Sequence, residues 1–293
     1  MQNQNNEAWT IAKLLTWSTS YFESNKIDSP RATSEILLSH ILDLDRIDLY
    51  VQFDRPMSKD ELSSFKKLVK RRLKNEPVAY ITGKKGFWSH EFHVTEDTLI
   101  PRPDTECIVE EVINDLNKRE VNKPKVLELG TGTGAIIISI QGECSGEFFA
   151  SDISINALEI AKKNAGEFSA DISFYEGCWF EPFDKDIFRN SFDIIISNPP
   201  YIPSEDITNL APEINKFEPI SALDGGPDGL DDLKAIIDDA PGFLKKGGTL
   251  YLEMGFDQGE SLTDYALSKG CFENIRIIKD LGNNPRVASM TLS

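Results

Sequence analysis

Residues 194–201 read Ile-Ile-Ile-Ser-Asn-Pro-Pro-Tyr, an apolar strand running into an amide, two prolines and an aromatic ring. Proline cannot donate to a sheet ladder, so the strand must stop there. The stop leaves two rigidly held acceptors, the side-chain oxygen of Asn198 and the backbone carbonyl of Pro199. That pair, followed by Pro200 and Tyr201, suits group transfer to a planar NH₂. Such a nitrogen is a poor nucleophile because its lone pair is delocalised. When acceptors hold both its protons, the lone pair is directed at the incoming carbon. In-line displacement needs close, aligned reactants, and acceptors fixed beforehand need no reorganisation. Tyr201 can stack on the flat group, and no strong base is required, because the nitrogen becomes acidic only as the new bond forms.

A second constellation lies upstream. Lys125-Val-Leu-Glu-Leu-Gly-Thr-Gly-Thr-Gly-Ala135 reads as a strand followed by a glycine turn into a helix. Gly130, Gly132 and Gly134 allow a tight turn and a close backbone approach to a ligand. Asp152 ends the next strand 22 residues after Gly130, where a carboxylate can accept from both ribose hydroxyls. The loop also satisfies the dinucleotide fingerprint, so alone it indicates only a nucleoside cofactor. Glu128 favours one of the two. A pyrophosphate would be repelled by a carboxylate two residues before the first glycine, whereas S-adenosylmethionine is cationic at its ammonium and sulfonium groups. A charged hydrogen bond of that kind contributes roughly 1.5–3 kcal/mol.

Cys178-Trp179-Phe180 follows the third strand, and its aromatic pair could wall an adenine ring. His90-x-x-His93 falls on an expected hairpin with no supporting acid or cysteine set and is not read as a metal site. All four cysteines are far apart in sequence, which suits reduced thiols.

These residues must be positioned by ordinary globular elements. The 293 residues favour about two domains, with 40% hydrophobic and 27% charged side chains. No apolar run approaches the ~18 residues of a membrane span. The first residues, MQNQNNEAW, have a Gln/Asn-rich start and no secretory signal, so a cytoplasmic location is expected. The net charge is −17, with twelve basic and ten acidic side chains in residues 1–75 against nineteen and thirty-eight in the remaining 218. An acidic body disfavours bulk nucleic acid as the substrate.

Residues 1–76 are expected to form a helical domain. Apolar positions recur at helical spacing at Ile11, Leu14 and Leu15, and Ser58-Lys-Asp-Glu61 fits a capping box ahead of Leu62, Phe65, Val69 and Leu73. The last of these helices carries a basic stripe of Lys66, Lys67, Lys70, Arg71, Arg72 and Lys74, either a solvated face or a docking surface for an acidic partner. Residues 77–100 alternate aromatic and polar groups around Gly83 and Gly86 and are expected to be a linking β-hairpin. Pro103 then opens a helix with a stripe of Ile108, Val109, Val112, Ile113 and Leu116. Over 101–293 strands and helices alternate. Strands are expected at 125–129, 147–151, 172–175, 192–197 and 249–254, with a closing pair near 274–279 and 286–292. The fold class is therefore α/β, a mostly parallel sheet with helices on both faces.

Together "ELGTGTG", "NPPY" and "LIPRPDTE" resemble the glutamine N5-methyltransferases that modify peptide chain release factors. The resemblance runs through nearly the whole chain, including "FWSHEFHV", "FEPISAL" and "DLGNNPRV". It implies a seven-stranded Rossmann-like methyltransferase sheet, S-adenosylmethionine as cofactor, no metal, and a helical domain that helps engage the release factor. The target it implies is the glutamine of the Gly-Gly-Gln loop, with no direct nucleic-acid or membrane partner. Carried onto this chain, the cofactor positions are Gly130, Thr131, Gly132, Thr133, Gly134, Asp152, Trp179 and Asn198, and the substrate positions are Asn198, Pro199, Pro200 and Tyr201. Cys178 stands where the family often has an aspartate for the adenine amine, a contact left to Glu176 or a backbone carbonyl. "NPPY" alone is shared with enzymes that methylate adenine amines. A ribosomal-protein glutamine methyltransferase and a nucleic-acid adenine N6-methyltransferase are thus the rival readings. A nicotinamide-dependent oxidoreductase would leave "NPPY" and Glu128 unexplained, and a module that only binds the cofactor would need no rigid acceptor turn.

Overall fold

Glycine, proline and capping signals divide the chain much as the helical and alternating periodicities require. The computed structural model describes residues 8–293; the Gln/Asn-rich first six residues lie outside them. Two compact units are present, one extending to Gly83 and taking in Pro212–Phe217, the other comprising Lys84–Ala211 and Glu218–Ser293.

The first unit holds α1 (Ile11–Ser24), α2 (Pro30–Leu42), α3 (Arg46–Val51), α4 (Lys59–Arg72) and α5 (Val78–Thr82). Ile11, Leu15, Leu37, Leu38, Leu49 and Phe65 form its fully buried core. The capping box at α4 is complete: Ser58 Oγ accepts from Glu61 N, and Ser58 N donates to the Glu61 carboxylate at 2.7 Å. Helix α5 occupies residues expected to belong to the hairpin. Gly83, at φ +73°, closes that helix by donating to Ala79 O instead of bending a strand. The basic stripe is also smaller than its sequence. Arg71 is held by Glu76 at 2.8 Å, and the buried Arg72 pairs with Glu213 at 2.7 Å, leaving Lys66, Lys67, Lys70 and Lys74 exposed.

The second unit begins with the hairpin β1 (Lys84–Phe87) and β2 (His90–His93), followed by a 3₁₀ turn (Pro103–Thr105) and α6 (Glu106–Lys118). Alternation follows through β3 (Lys125–Leu129), α7 (Ala135–Glu143), β4 (Glu147–Asp152), α8 (Ile155–Phe168), β5 (Ile172–Glu176), α9 (Lys185–Phe188) and β6 (Phe192–Ser197). Beyond the short α10 (Pro212–Asn215) of the first unit come α11 (Asp231–Asp239), β7 (Leu244–Glu253), α12 (Gly259–Ser268), β8 (Phe272–Lys279) and β9 (Pro285–Leu292). The expected fold class holds. The sheet has seven strands in the order β5-β4-β3-β6-β7-β9-β8, parallel except at β9.

Period-two alternation sorts its side chains. Leu127, Leu129, Ile195, Leu250 and Leu252 pack on one face with α11 and α12. Val126, Ile194, Ile196 and Tyr251 pack on the other with α6 and α7. Strand order reverses between β3 and β6, and in open sheets the ligand crevice lies beyond the carboxyl ends at such a point.

One buried amide ties the hairpin to that crevice. Asn164 of α8 is fully buried; its Oδ1 accepts from His93 N at 2.8 Å, and its Nδ2 donates to His93 O at 3.1 Å and Thr133 O at 2.8 Å. Asn164→Ala should therefore lower stability by about 2–4 kcal/mol, because it leaves several buried backbone groups unsatisfied. Urea unfolding measures this, and a change within about 0.5 kcal/mol, ordinary for surface positions, would contradict it.

Candidate active site

A cavity of about 250 Å³ opens at the carboxyl ends of β3, β4, β5 and β6. Its floor is the glycine loop. Gly130, Gly132 and Gly134 have φ of +69°, +55° and +78°, in the left-handed region that favours glycine. A Cβ on Gly132 would meet nothing within 4 Å, so its backbone faces open space. Thr131 N donates to Ser151 O at 2.9 Å and Gly134 N to Thr131 O at 2.8 Å, which curls the loop onto β4.

Two acids fix the loop's chemistry. Asp152 Oδ2 accepts from Gly132 N at 2.8 Å, and its Oδ1 accepts from Ser154 N at 2.9 Å. Burial raises its pKa, while the amides of Ser154, Gly132 and Ile153 oppose the rise. Asp152 thus holds the loop as well as lining the cavity. Glu128 is 1% exposed and accepts from the Thr131 hydroxyl. Burial pushes its pKa up to about 8, against bonds from Thr131 and the Ile137 backbone, with the Asp152 charge adding to the rise. None of its bonding partners is cationic. Two buried carboxyls beside an open backbone cradle fit an uncharged ribose and a cationic ligand, and disfavour a pyrophosphate.

Trp179 forms one wall. It stands at φ +44°, and its ring lies 3.2 Å from where a Gly130 Cβ would be. Phe180, expected to pair with it there, is 5% exposed and stacks on Phe243 in the core at 4.5 Å. Glu176 is exposed and off the cavity, but Asp232 from the first turn of α11 shares the wall with Cys178 and Trp179. Burial raises the Asp232 pKa, and the Trp179 indole opposes that rise through a hydrogen bond.

Asn198 and Pro200 line the opposite side. Asn198 Nδ2 donates to Thr105 Oγ1 at 3.4 Å, and among the described residues nothing donates to its side-chain oxygen. Pro199 is buried, and neither it nor Tyr201 is on the cavity wall. The Tyr201 hydroxyl instead donates to buried Glu253 at 3.2 Å. The turn is clamped from behind. Gln258 Nε2 donates to Tyr201 O at 2.9 Å and Gly229 O at 3.1 Å, and a Cβ on Gly229 would come within 2.3 Å of Tyr201 O. At the rim, Arg102 pairs with buried Glu218 at 2.5 Å, which joins "PRPDTE" to "FEPISAL". His93 is engaged with Glu167 at 2.7 Å, and the His90 ring contacts Phe168.

The raised pKa of Glu128 sets a direction for binding. A cation needs the ionised form, and below about pH 8 that form must be made by losing a proton. Each unit of pH then changes the cost by about 1.4 kcal/mol, a factor of ten. S-adenosylmethionine affinity, measured by calorimetry from about pH 5.5 to about pH 7.5, should rise with pH, and Glu128→Gln should flatten the dependence. A wild-type affinity independent of pH would remove Glu128 from the binding site.

Residues 13–83 match the family profile described as the PrmC N-terminal domain, and residues 120–273 match one described as a methyltransferase domain. The release factor glutamine methyltransferase of Geobacter sulfurreducens is 40% identical over 87% of this chain and 88% of its own. That of Rhodopirellula baltica is 36% identical over 99% of this chain and 98% of its own. A solved methyltransferase from Pyrococcus furiosus shares the fold with a TM-score of 0.50 at 16% identity, covering 76% of this chain and 96% of that one. A buried acid before a glycine cradle, an amide on a double-proline turn and this near full-length likeness lead to one conclusion: the chain belongs to the release factor glutamine methyltransferase family.

Proposed function

We propose that the protein transfers a methyl group from S-adenosylmethionine to the side-chain amide nitrogen of the glutamine in the Gly-Gly-Gln loop of peptide chain release factors. The observation that carries this reading is Asn198, anchored by its Nδ2 on Thr105 and set on the wall of the cavity that also holds Glu128. The relatives' names favour a release factor over a ribosomal protein or an adenine base as the substrate.

S-adenosylmethionine supplies the electrophilic methyl carbon, activated by its sulfonium. In this reading the chain's residues bind and align. Gly130 and Gly132 leave the backbone without a Cβ at the approach, Thr131 and Thr133 line the cavity beside them, Gly134 turns the loop into α7, and Asp152 offers its remaining lone pairs to ribose hydroxyls. Glu128 meets positive charge, and Trp179 covers a flat face. Asn198 Oδ1 accepts one amide proton of the glutamine. Pro199 and Pro200 keep that acceptor from relaxing. Tyr201, anchored through Glu253, sets the far end of the turn.

The helical unit engages the release factor, with the exposed Lys66, Lys67, Lys70 and Lys74 as its charged face. No helix among the described residues is long and apolar enough to cross a membrane. Translation factors as substrates fit a cytoplasmic location.

Asn198→Ala should slow single-turnover methylation of a release factor by about 10²–10³, the usual cost of losing one preorganised group at the reacting atom. Cofactor affinity should change much less. In the same assay Lys66→Glu with Lys70→Glu should raise KM for the intact factor and leave a short glutamine peptide unaffected, an effect strongest at low salt. Near-normal turnover by Asn198→Ala would sink the acceptor role. Equal responses of factor and peptide would leave the lysines as a solvated face.

A further inference from the structure

Behind the double-proline turn lies a buried acid that the steps above use only as an anchor. Glu253 ends β7 and is 2% exposed. Its Oε1 accepts the Tyr201 hydroxyl, while its Oε2 is buried with no hydrogen-bond partner among the described residues. The charged and titratable groups facing it come from every element packed around it: Tyr201 after β6, Asp104 in the 3₁₀ turn, Cys107 in α6 and Arg286 in β9. Burial pushes its pKa up to about 7; Thr105, Arg286 and Tyr201 favour the charged form, and Asp104 disfavours it. Arg286 is shared, at 3.3 Å from both Asp280 and Asp104. The Cys107 thiol is pushed up to about 12 and stays neutral.

Thr105 stands between this acid and Asn198. It is 4% exposed, accepts from Asn198 Nδ2 and has one proton to give, and its hydroxyl also stabilises the Glu253 charge. A hydroxyl both donates and accepts, so Thr105 alone cannot decide which end of the Asn198 amide turns toward it. The acid can. A carboxylate only accepts, so Thr105 donates to it and takes a proton from Asn198, leaving Oδ1 for the substrate. A carboxylic acid can donate to Thr105, whose own proton then goes to Asn198 Oδ1. The Asn198 NH₂ would then meet the substrate NH₂ donor to donor.

We infer that Glu253 is a positioning residue whose charge state, relayed through the Thr105 hydroxyl, selects which end of the Asn198 amide faces the reacting nitrogen. The inference rests on the proposed role of Asn198 as acceptor. The sign follows from the geometry: the ionised acid presents an acceptor to the substrate and the protonated acid a donor, so turnover rises with pH as Glu253 ionises.

The test is single-turnover methyl transfer to a release factor at saturating S-adenosylmethionine, from about pH 5.5 to about pH 8.5. Wild type, Glu253→Gln and Thr105→Val are compared, with cofactor affinity measured separately by calorimetry. Saturation removes the contribution of Glu128, which acts on affinity. The wild-type rate should fall about tenfold per unit below a pH near 7. Both variants should lose that acid limb, with plateaus lowered by up to about 100-fold and cofactor affinity within about threefold. Thr105→Val keeps the side-chain shape and carries the test if Glu253→Gln does not fold. An acid limb that persists in a folded variant, or a plateau equal to wild type, overturns the inference while the substrate assignment stands. A wild-type enzyme that transfers no methyl to the factor defeats the substrate assignment and the inference with it.

Discussion

Leu129 and Ser197 lie side by side at the ends of the two central parallel strands, and the buried Ser197 hydroxyl donates to the Leu129 carbonyl at 2.8 Å. That pairing sets the register from which the site is built. With Glu128 beside Ile196, the glycine loop and Asn198 leave the sheet at the same height, on strands about 4.8 Å apart. A slip of one residue would turn every side chain of β6 to the opposite face and bury the amide in a core of Ile and Leu. The register is strongly specified because β6 is buried along its whole length. The prolines can end the ladder abruptly because the site needs no further pairing beyond Ser197.

Three buried acids in and behind the cavity are the other dependence. Glu128, Asp152 and Glu253 are all buried, and burial raises the pKa of each. Burying carboxyls opposes folding, and a core of this size has no structural need of them. Their arrangement makes sense as chemistry. Glu128 faces the cavity with no cationic bonding partner, Asp152 holds the loop by two backbone amides while facing the cavity, and Glu253 accepts from Tyr201 behind the turn. Tight backbone packing at Gly229 and the two bonds from Gln258 keep that turn from yielding.

Much of this was legible in the sequence because it is local. Period-two and helical alternation gave the strands and helices of the sheet to within a few residues, and proline and glycine marked where the strands stop. Glu128, Gly130 and Asp152 line one cavity, as their spacing leads one to expect, since one strand–loop–helix–strand unit carries them. The parts that were not legible depend on contacts between distant segments. Thr105 meets Asn198 across 93 residues, and Arg102 meets Glu218 across 116. Asp232 reaches the Trp179 wall from a different helix. The same limit explains three differences. Gly83 caps a helix because its neighbours pack in the first unit, Phe180 turns into the core to meet Phe243, and Arg71 and Arg72 find carboxylates that no helical periodicity announces.

The central claim is that the cavity aligns one glutamine amide of a release factor with the methyl donor. Tandem mass spectrometry of a purified release factor, after incubation with the protein and isotopically labelled S-adenosylmethionine, tests it most directly. The account requires one labelled methyl group, on the side-chain amide of the Gly-Gly-Gln glutamine. A label on any other residue, or an unlabelled factor beside labelled nucleic acid in the same mixture, would contradict it.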